Sequence, residues 1–378
     1  MMTTLTVISE GVSPASSNDL TDYARDLTRS IVATAPRSCG VSAFLCSANT
    51  RDRDFFRQTA PQAEIIQSSR DRAALLRAWG VGLTGQHGDG MVHAPSLFAP
   101  LSRHDKINDG TQTTVTIHDT TPWTHPHAYP PKAVMWFKNM ARRAQKYADA
   151  IVVPTHTAAE NLTKYLDVGD RIRVVQGSAP TRVINADGNG QADPVRAMAG
   201  SYVITECGTS EFSGLSALLQ AFSRPELNDV GLAIVARDGL TPETLAELTT
   251  SLGIAPPRVH LLTTGNGGEI RDAYRAASAH VLPGRADQFS SSMLTSFVLG
   301  VPTVHADTPV LNEIAGDAGR SVDASSDDTY IDGLAEALAE VVADTTQRER
   351  MITLGHDRAR AFSWREAGER IWQLHAEL

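Results

Sequence analysis

The chain has 378 residues, more than one ordinary core accommodates and a length suited to two domains. Hydrophobic residues make up 42% and charged residues 20%, which excludes wholesale disorder, and a net charge of −9 argues against a general nucleic-acid binder, whose phosphate contacts need a basic footprint. Three cysteines (Cys39, Cys46, Cys207) and no Cys-x-x-Cys pair allow at most one disulfide and predict a reducing compartment.

Short apolar runs alternate with helix-like stretches along the whole chain, the pattern of parallel α/β structure. In the first half the predicted strands cover residues 5–9, 41–46, 91–93, 113–118 and 150–154. A helix is predicted over 20–35, with Asn18 or Asp19 as cap, and another over 132–147, where Ala133, Phe137, Met140, Ala141 and Ala144 form an apolar stripe. Residues 80–90 read as a loop. Residues 177–200 contain Pro180, Gly188, Gly190, Pro194 and Gly200 with little apolar periodicity, and read as an interdomain linker. The alternation then restarts, with strands at 202–205, 231–236, 259–262, 280–283 and 303–305. Helices fall between them at 215–222, 242–252, 269–277 and 292–299, and the tail from Asp328 onward reads as helical.

The expected architecture is therefore α/β, with two tandem Rossmann-like domains whose parallel sheets face each other across a cleft. The domains are residues 1–176 and 201–361, joined by the linker 177–200, with a C-terminal helix at 362–378 packing back on the first domain. Open parallel sheets bind ligands beyond the carboxyl ends of their strands, and two facing sheets suit group transfer between two substrates. The charge is uneven, +3 over residues 1–180 and −12 over the rest, which fits two units with different partners or a solvated acidic face on the second. The N-terminal Met-Met-Thr-Thr-Leu-Thr-Val has neither a basic n-region nor a long apolar run. No stretch approaches the roughly 18 apolar residues of a spanning helix, so a cytoplasmic, soluble protein is expected.

Several local sequences, in order, resemble the family 4 retaining glycosyltransferases of the GT-B fold. In the first half these are Met91-Val-His-Ala-Pro-Ser96, Thr114-Val-Thr-Ile-His118-Asp119, Ala148-Asp-Ala-Ile-Val-Val-Pro-Thr155 and Arg173-Val-Val-Gln-Gly177. In the second they are Gly208-Thr209-x-Glu211, Ala277-Ser-Ala-His-Val-Leu-Pro283, Gly300-Val-Pro-Thr-Val304, Asn312-Glu313-Ile-Ala-Gly-Asp-Ala-Gly319 and Phe362-Ser-Trp364. The resemblance implies transfer of a sugar from a nucleotide-diphosphate sugar to an acceptor hydroxyl, with retention and without a metal or other cofactor. It implies a glycan or lipid-linked acceptor, and His118, Asp119 and Asp287 as the catalytic positions. The donor would be held by Gly208, Thr209, Phe289, Ser290, Ser291, Thr295 and Glu313.

The sequence departs from the family pattern at that donor site. The family's Arg-Lys pair falls on residues 212–214, which hold no cation, and Thr295 stands in place of the second Glu of the Glu-x7-Glu motif. Arg237 and Arg285 are the basic residues placed to compensate. Without compensation, loss of both cations would lower turnover by roughly 10⁴ if the effects added. A second reading follows from the same departures, an inactive GT-B homologue serving as partner or scaffold of an active glycosyltransferase; a nucleotide-sugar epimerase or hydrolase is a third. Asp287 and Glu313 are each equally readable as helix-capping or surface acids, and His118 as a structural histidine. His125 and His127 lack a carboxylate or Cys at ligand spacing, so no metal site is expected. The basic helix with Lys132, Lys138, Arg142, Arg143 and Lys146 reads either as peripheral contact with the inner membrane face or as a solvated polar face.

Overall fold

The computed structural model describes residues 3–9, 19–46, 50–85, 90–105, 110–186, 200–237, 239–263, 266–286 and 289–378. The chain forms two compact units, Met1–Gly177 with Ser363–Leu378 and Ser178–Phe362.

Among its described residues unit 1 contains seven parallel strands: β1 (Thr3–Ser9), β2 (Cys39–Leu45), β3 (Glu64–Gln67), β4 (Met91–Ala94), β5 (Gln112–Thr116), β6 (Ala150–Val153) and β7 (Ile172–Val174). They pair in the order β3-β2-β1-β4-β5-β6-β7, so the strand order reverses between β1 and β4. Its helices are α1 (Asp19–Ala33), α2 (Thr50–Thr59), α3 (Arg72–Gly80), α4 (Thr121–Thr124), α5 (Pro131–Tyr147) and α6 (His156–Thr163). The last helix of the chain, α15 (Trp364–Glu377), also belongs to this unit. Leu5, Val7, Leu27, Ile31, Ile371 and Trp372 form one apolar layer, and Trp372 Nε1 donates to the Ile31 carbonyl at 2.8 Å. The other layer gathers Trp79, Phe98, Val115, Met140, Ala144 and Ile151. Strands covered on both faces are continuously apolar, which is why 150–153 reads Ala-Ile-Val-Val.

Unit 2 contains α7 (Thr181–Ile184), β8 (Tyr202–Cys207), α8 (Leu215–Phe222), β9 (Gly231–Ala236), α9 (Pro242–Ser251), β10 (Val259–Leu262) and α10 (Gly267–Ala276). There follow β11 (Ala279–Leu282), α11 (Ser291–Leu299), β12 (Thr303–Ala306), α12 (Pro309–Ala315), β13 (Gly319–Val322), α13 (Asp327–Ala343) and α14 (Thr345–Ala359). All six strands run parallel in the order β10-β9-β8-β11-β12-β13, the doubly wound Rossmann order, with its switch point between β8 and β11. Each unit is thus a Rossmann-like domain, and the architecture is that of the GT-B fold.

Two sequence expectations change. Part of the stretch read as a linker is packed structure. Residues 181–184 form α7, and a Cβ added at Gly267 would lie 1.8 Å from the Arg182 carbonyl oxygen, so α10 starts against this turn. Residues 187–199 lie outside the described residues. The predicted strand 113–118 ends at Thr116, which leaves His118 and Asp119 in the loop beyond it.

Candidate active site

In unit 1, Ile117 still donates its N–H to the Val152 carbonyl at 2.9 Å, and the chain then turns away from the sheet. His118 is half-buried there, and its Nε2 lies 2.8 Å from the Pro95 carbonyl, the residue that follows β4. A carbonyl only accepts, so Nε2 carries the proton and Nδ1 is the acceptor of the ring. Burial pushes the imidazole below its ordinary value, against the opposing pull of the Pro95 carbonyl and the Asp119 carboxylate, which keeps the ring neutral. His118 therefore presents an acceptor nitrogen beside the carboxyl ends of β4 and β5. Asp119 does something else. Its Oδ1 accepts from the Thr121 N–H at 2.8 Å and from the Thr121 hydroxyl, which in turn meets Tyr129 Oη at 2.7 Å. These bonds commit Asp119 to holding the Pro-Trp-Thr-His turn, a positioning role in the local structure.

In unit 2 the donor candidates collect at the switch point. Gly214 has φ +75°, and a Cβ there would lie 2.1 Å from the Pro283 carbonyl oxygen. A Cβ at Gly284 would lie 3.0 Å from the Phe212 carbonyl oxygen, so the loop after β8 is laid directly on the loop after β11. The Ser213 hydroxyl donates to the Gly208 carbonyl at 2.7 Å and closes the first loop. Thr209 Oγ1 is 3.9 Å from where a Cβ on Gly239 would be, which brings in the loop after β9. From the β11 loop the chain passes half-buried Phe289, which packs on the unit's core, and enters α11. Ser290 caps that helix, its Oγ accepting from the Met293 N–H at 3.4 Å and lying 3.0 Å from Ser292 Oγ. A helix start capped this way directs N–H groups and positive potential beyond its end, as an anionic diphosphate requires. Asp287 lies outside the described residues.

Each compensating arginine is bonded to a carboxylate. Arg237 donates through Nε to Glu206 Oε2 at 3.0 Å, and its Nη2 also reaches that oxygen. Side-chain exposures of 15% and 10% make the pair a nearly buried one. Burial would raise the Glu206 carboxyl, but Arg237 and the Tyr274 hydroxyl, 2.7 Å from Oε1, more than offset it and hold the group below its ordinary value. Tyr274 leads on to His280 and then to Ser296 and Thr303, a polar chain linking α10, β11, α11 and β12. Arg285 donates through Nη1 to Asp327 at 2.6 Å and lies 5.5 Å above the Tyr330 ring; the two partners are 38% and 75% exposed. Thr295 is fully buried and donates to the Ser291 carbonyl at 3.0 Å, a bond within its own helix. Ser291 is buried at the first turn of α11. Glu313 is half-buried on α12, and its carbonyl accepts from Arg358 at 2.6 Å.

Sequence reasoning missed Glu206, Tyr274, Asp327 and Tyr330. Glu206 carried a signal, since a carboxylate inside Tyr-Val-Ile-Thr-Glu-Cys, a strand of a buried parallel sheet, demands a partner. Among the described residues no group of three or more His, Cys, Asp or Glu side chains is arranged to hold a metal ion.

Residues 69–180 match the family described as Glycosyltransferase Family 4, and residues 210–358 match Glycosyl transferases group 1. The chain belongs to the family 4 glycosyltransferases. D-inositol 3-phosphate glycosyltransferase of Corynebacterium glutamicum is 25% identical over 245 residues, 60% of this chain and 57% of that protein. The chain thus matches little more than half the length of this curated relative. Among solved structures, sucrose-phosphate synthase from Thermosynechococcus elongatus superposes with a TM-score of 0.74 at 15% identity, over 99% of this chain and 98% of that one. Anabaena HepE in complex with UDP and glucose superposes with a TM-score of 0.69 at 14% identity, over the full length of both. At these identities the superpositions establish the shared GT-B fold.

Proposed function

We propose that this family member moves a sugar from a nucleotide-diphosphate sugar to an acceptor hydroxyl, with retention of configuration and without a metal ion or other cofactor. The observation that carries this reading is the pair of packed loops after β8 and β11 in unit 2, Gly214 on Pro283, with the Ser290-capped start of α11 following the second loop along the chain. The UDP-bound HepE structures support a nucleotide donor in this fold. Negative charge develops on the diphosphate as the glycosidic bond breaks, and N–H groups fixed at a helix start stabilise it without reorganising. Arg285 supplies the cation. Its pair with Asp327 is surface-exposed and worth about 0–1 kcal/mol, against roughly 1.5–3 kcal/mol for a charge-assisted bond, so a diphosphate outcompetes Asp327. Arg237, tied to buried Glu206, stays where it is. The substitution is of the front-face type. The acceptor oxygen bonds the anomeric carbon on the face the diphosphate leaves, and the departing oxygen takes the acceptor's proton. Nδ1 of His118 accepts a hydrogen bond from a hydroxyl of the sugar or the acceptor and holds it in place. The acceptor is a glycan or a lipid-linked sugar. Lys132, Lys138, Arg142 and Lys146 on α5, with exposed Met135, support peripheral contact with an anionic membrane face; among the described residues no helix is long and apolar enough to cross a membrane.

A second reading is supported by Thr295 and Arg237, both committed to bonds within the fold, and by the absence of a cation in residues 208–214. It is a GT-B homologue without turnover that acts as the partner of an active glycosyltransferase. Incubation with UDP-, GDP- and ADP-sugars, with and without EDTA, separates the two. The transferase reading expects EDTA-insensitive release of nucleoside diphosphate and a sugar product that retains the donor's anomeric configuration by proton NMR. Inverted product or dependence on a divalent ion contradicts that mechanism, and no release from any donor favours the partner reading.

A further inference from the structure

The face of the unit 1 sheet beneath α1 and α15 carries a polar row inside an apolar layer. Pairing sets Val7 of β1 beside His93 of β4, and His93 beside Thr114 of β5. Side chains repeat every second residue along a strand, so Ser9 and Thr116 share this face one repeat nearer the carboxyl ends. His93 Nδ1 lies 2.8 Å from Thr114 Oγ1, Thr114 Oγ1 lies 3.2 Å from His375 Nε2, and His375 Nδ1 lies 2.9 Å from Gln112 Oε1. Beyond that chain, Ser9 Oγ, Thr116 Oγ1, His93 Nε2 and the Tyr23 hydroxyl are buried with no hydrogen-bond partner among the described residues. Tyr23 comes down from α1. Its hydroxyl is close enough to Thr116 to feel it but does not reach hydrogen-bond geometry.

The ring of the same Tyr23 is the wall of His118. Their centroids are 4.6 Å apart with planes at 88°, and Trp364 closes the other side at 5.5 Å and 66°. A Cβ added at Gly177 would come within 3.2 Å of the Tyr23 ring and 3.1 Å of Trp364, so the cluster is tightly filled. The imidazole is tethered at Cβ, and because Nε2 lies close to the Cβ–Cγ axis its bond to Pro95 is a short lever against rotation about that axis; packing on the ring supplies the stronger restraint. A phenylalanine would fill the same space without burying an unmet hydroxyl, so packing alone does not account for the tyrosine. Sites lined by several unmet polar atoms ordinarily hold water, which makes two to four hydrogen bonds.

We propose that Tyr23 is a positioning residue for His118: its ring sets the imidazole plane, and its hydroxyl is anchored through buried water to Thr116, Ser9 and His93. The functional part rests on the reading that His118 meets substrate. The experiment compares full-length Tyr23→Phe and Tyr23→Leu with the unsubstituted protein. The first readout is the long-range proton–nitrogen spectrum of the imidazoles, with His118 assigned by His118→Gln, and the second is kcat and KM for donor turnover. The unsubstituted protein should show His118 in one tautomer protonated at Nε2. Tyr23→Leu should give a mixed or averaged tautomer and a kcat lower by about 10–100-fold, the order expected for a misplaced group, with the donor KM nearly unchanged. Tyr23→Phe should shift the His118 signals in the same direction by less. His118 signals and kcat unchanged in Tyr23→Leu overturn the proposal. A Tyr23→Phe indistinguishable from the parent overturns the anchoring, and decides alone if Tyr23→Leu does not fold. Should the unsubstituted protein turn over no donor, the transferase reading fails, while the spectra still decide whether Tyr23 sets His118.

Discussion

Gly214→Ala tests the contact on which the donor seat is built. At φ +75° an alanine pays about 1–2 kcal/mol for the left-handed backbone. Its Cβ would also lie 2.1 Å from the Pro283 carbonyl oxygen and 2.3 Å from the carbonyl carbon. Those are backbone atoms at the end of β11, so relief comes from parting the two loops, and such overpacking costs about 1–3 kcal/mol more. The sum is about 2–5 kcal/mol, a sizeable part of an ordinary domain's stability. Gly253→Ala is the internal control, because Gly253 has φ +68° and a Cβ there would meet nothing within 4 Å. It should pay the backbone cost alone. The five tryptophans (79, 123, 136, 364 and 372) all lie in unit 1, so their fluorescence reports that unit. Unit 2 is followed by far-UV circular dichroism in urea and by hydrogen exchange of peptides from 202–214 and 279–286. Gly214→Ala should lower the unit 2 transition well below that of Gly253→Ala, speed exchange in both loops, and weaken donor binding about tenfold or more as the two loops part. Equal costs for the two variants, with donor affinity intact, would show that the Gly214–Pro283 contact does not build the donor site.

Arg285→Ala should leave the urea midpoint within about 0.5–1 kcal/mol of the parent, since its pair with Asp327 is exposed, and weaken donor binding about 10–100-fold. Unchanged calorimetric affinity removes Arg285 from the donor site. Glu206→Leu, which strands the nearly buried Arg237, should cost about 3–5 kcal/mol of unit 2 stability, and Glu206→Leu/Arg237→Met should regain most of it. A single variant costing under about 1 kcal/mol by circular dichroism in urea would show that the pair is not needed to hold β8 to β9. Burial lowers His93 to about 3 and His375 to about 4 in the folded chain, from an ordinary value of 6.5. Below 6.5 the unfolded chain takes protons that the folded unit refuses, so unit 1 loses stability as pH falls from 6.5 toward those values, by about 1.4 kcal/mol per pH unit for each histidine. His375→Gln should flatten that slope by one proton in tryptophan-monitored urea titrations; a parent midpoint that is flat between pH 7 and 5 contradicts the assignment.

The alternation of apolar runs and helices made both sheets legible, because buried parallel strands such as Ala150–Val153 and Gly231–Ala236 are apolar on every residue. Among the strands, what stayed hidden is short and at an edge. Glu64–Gln67, Ile172–Val174 and Gly319–Val322 are edge strands of three or four residues, too brief for a period to register. The donor seat was half legible. Gly208, Thr209, Ser290 and Ser291 were named through the family resemblance, but the close packing of the loops after β8 and β11 depends on Gly214 meeting Pro283, 69 positions away. The fates of Arg237 and Arg285 were not legible, because Glu206 and Asp327 lie 31 and 42 positions from them. Spacing also gave no means of knowing that Asp119 would turn to Thr121, two residues on.

We propose that the loops after β8 and β11, with the start of α11, form a working nucleotide-sugar site despite Thr295 and the missing Arg-Lys pair. Calorimetric titration of the full chain with UDP-, GDP- and ADP-linked sugars, with Arg285→Ala and Asp287→Ala alongside, tests it directly. One donor bound with micromolar or better affinity, and lost in both variants, is the predicted result. Binding of none of these donors would contradict it and leave the partner reading.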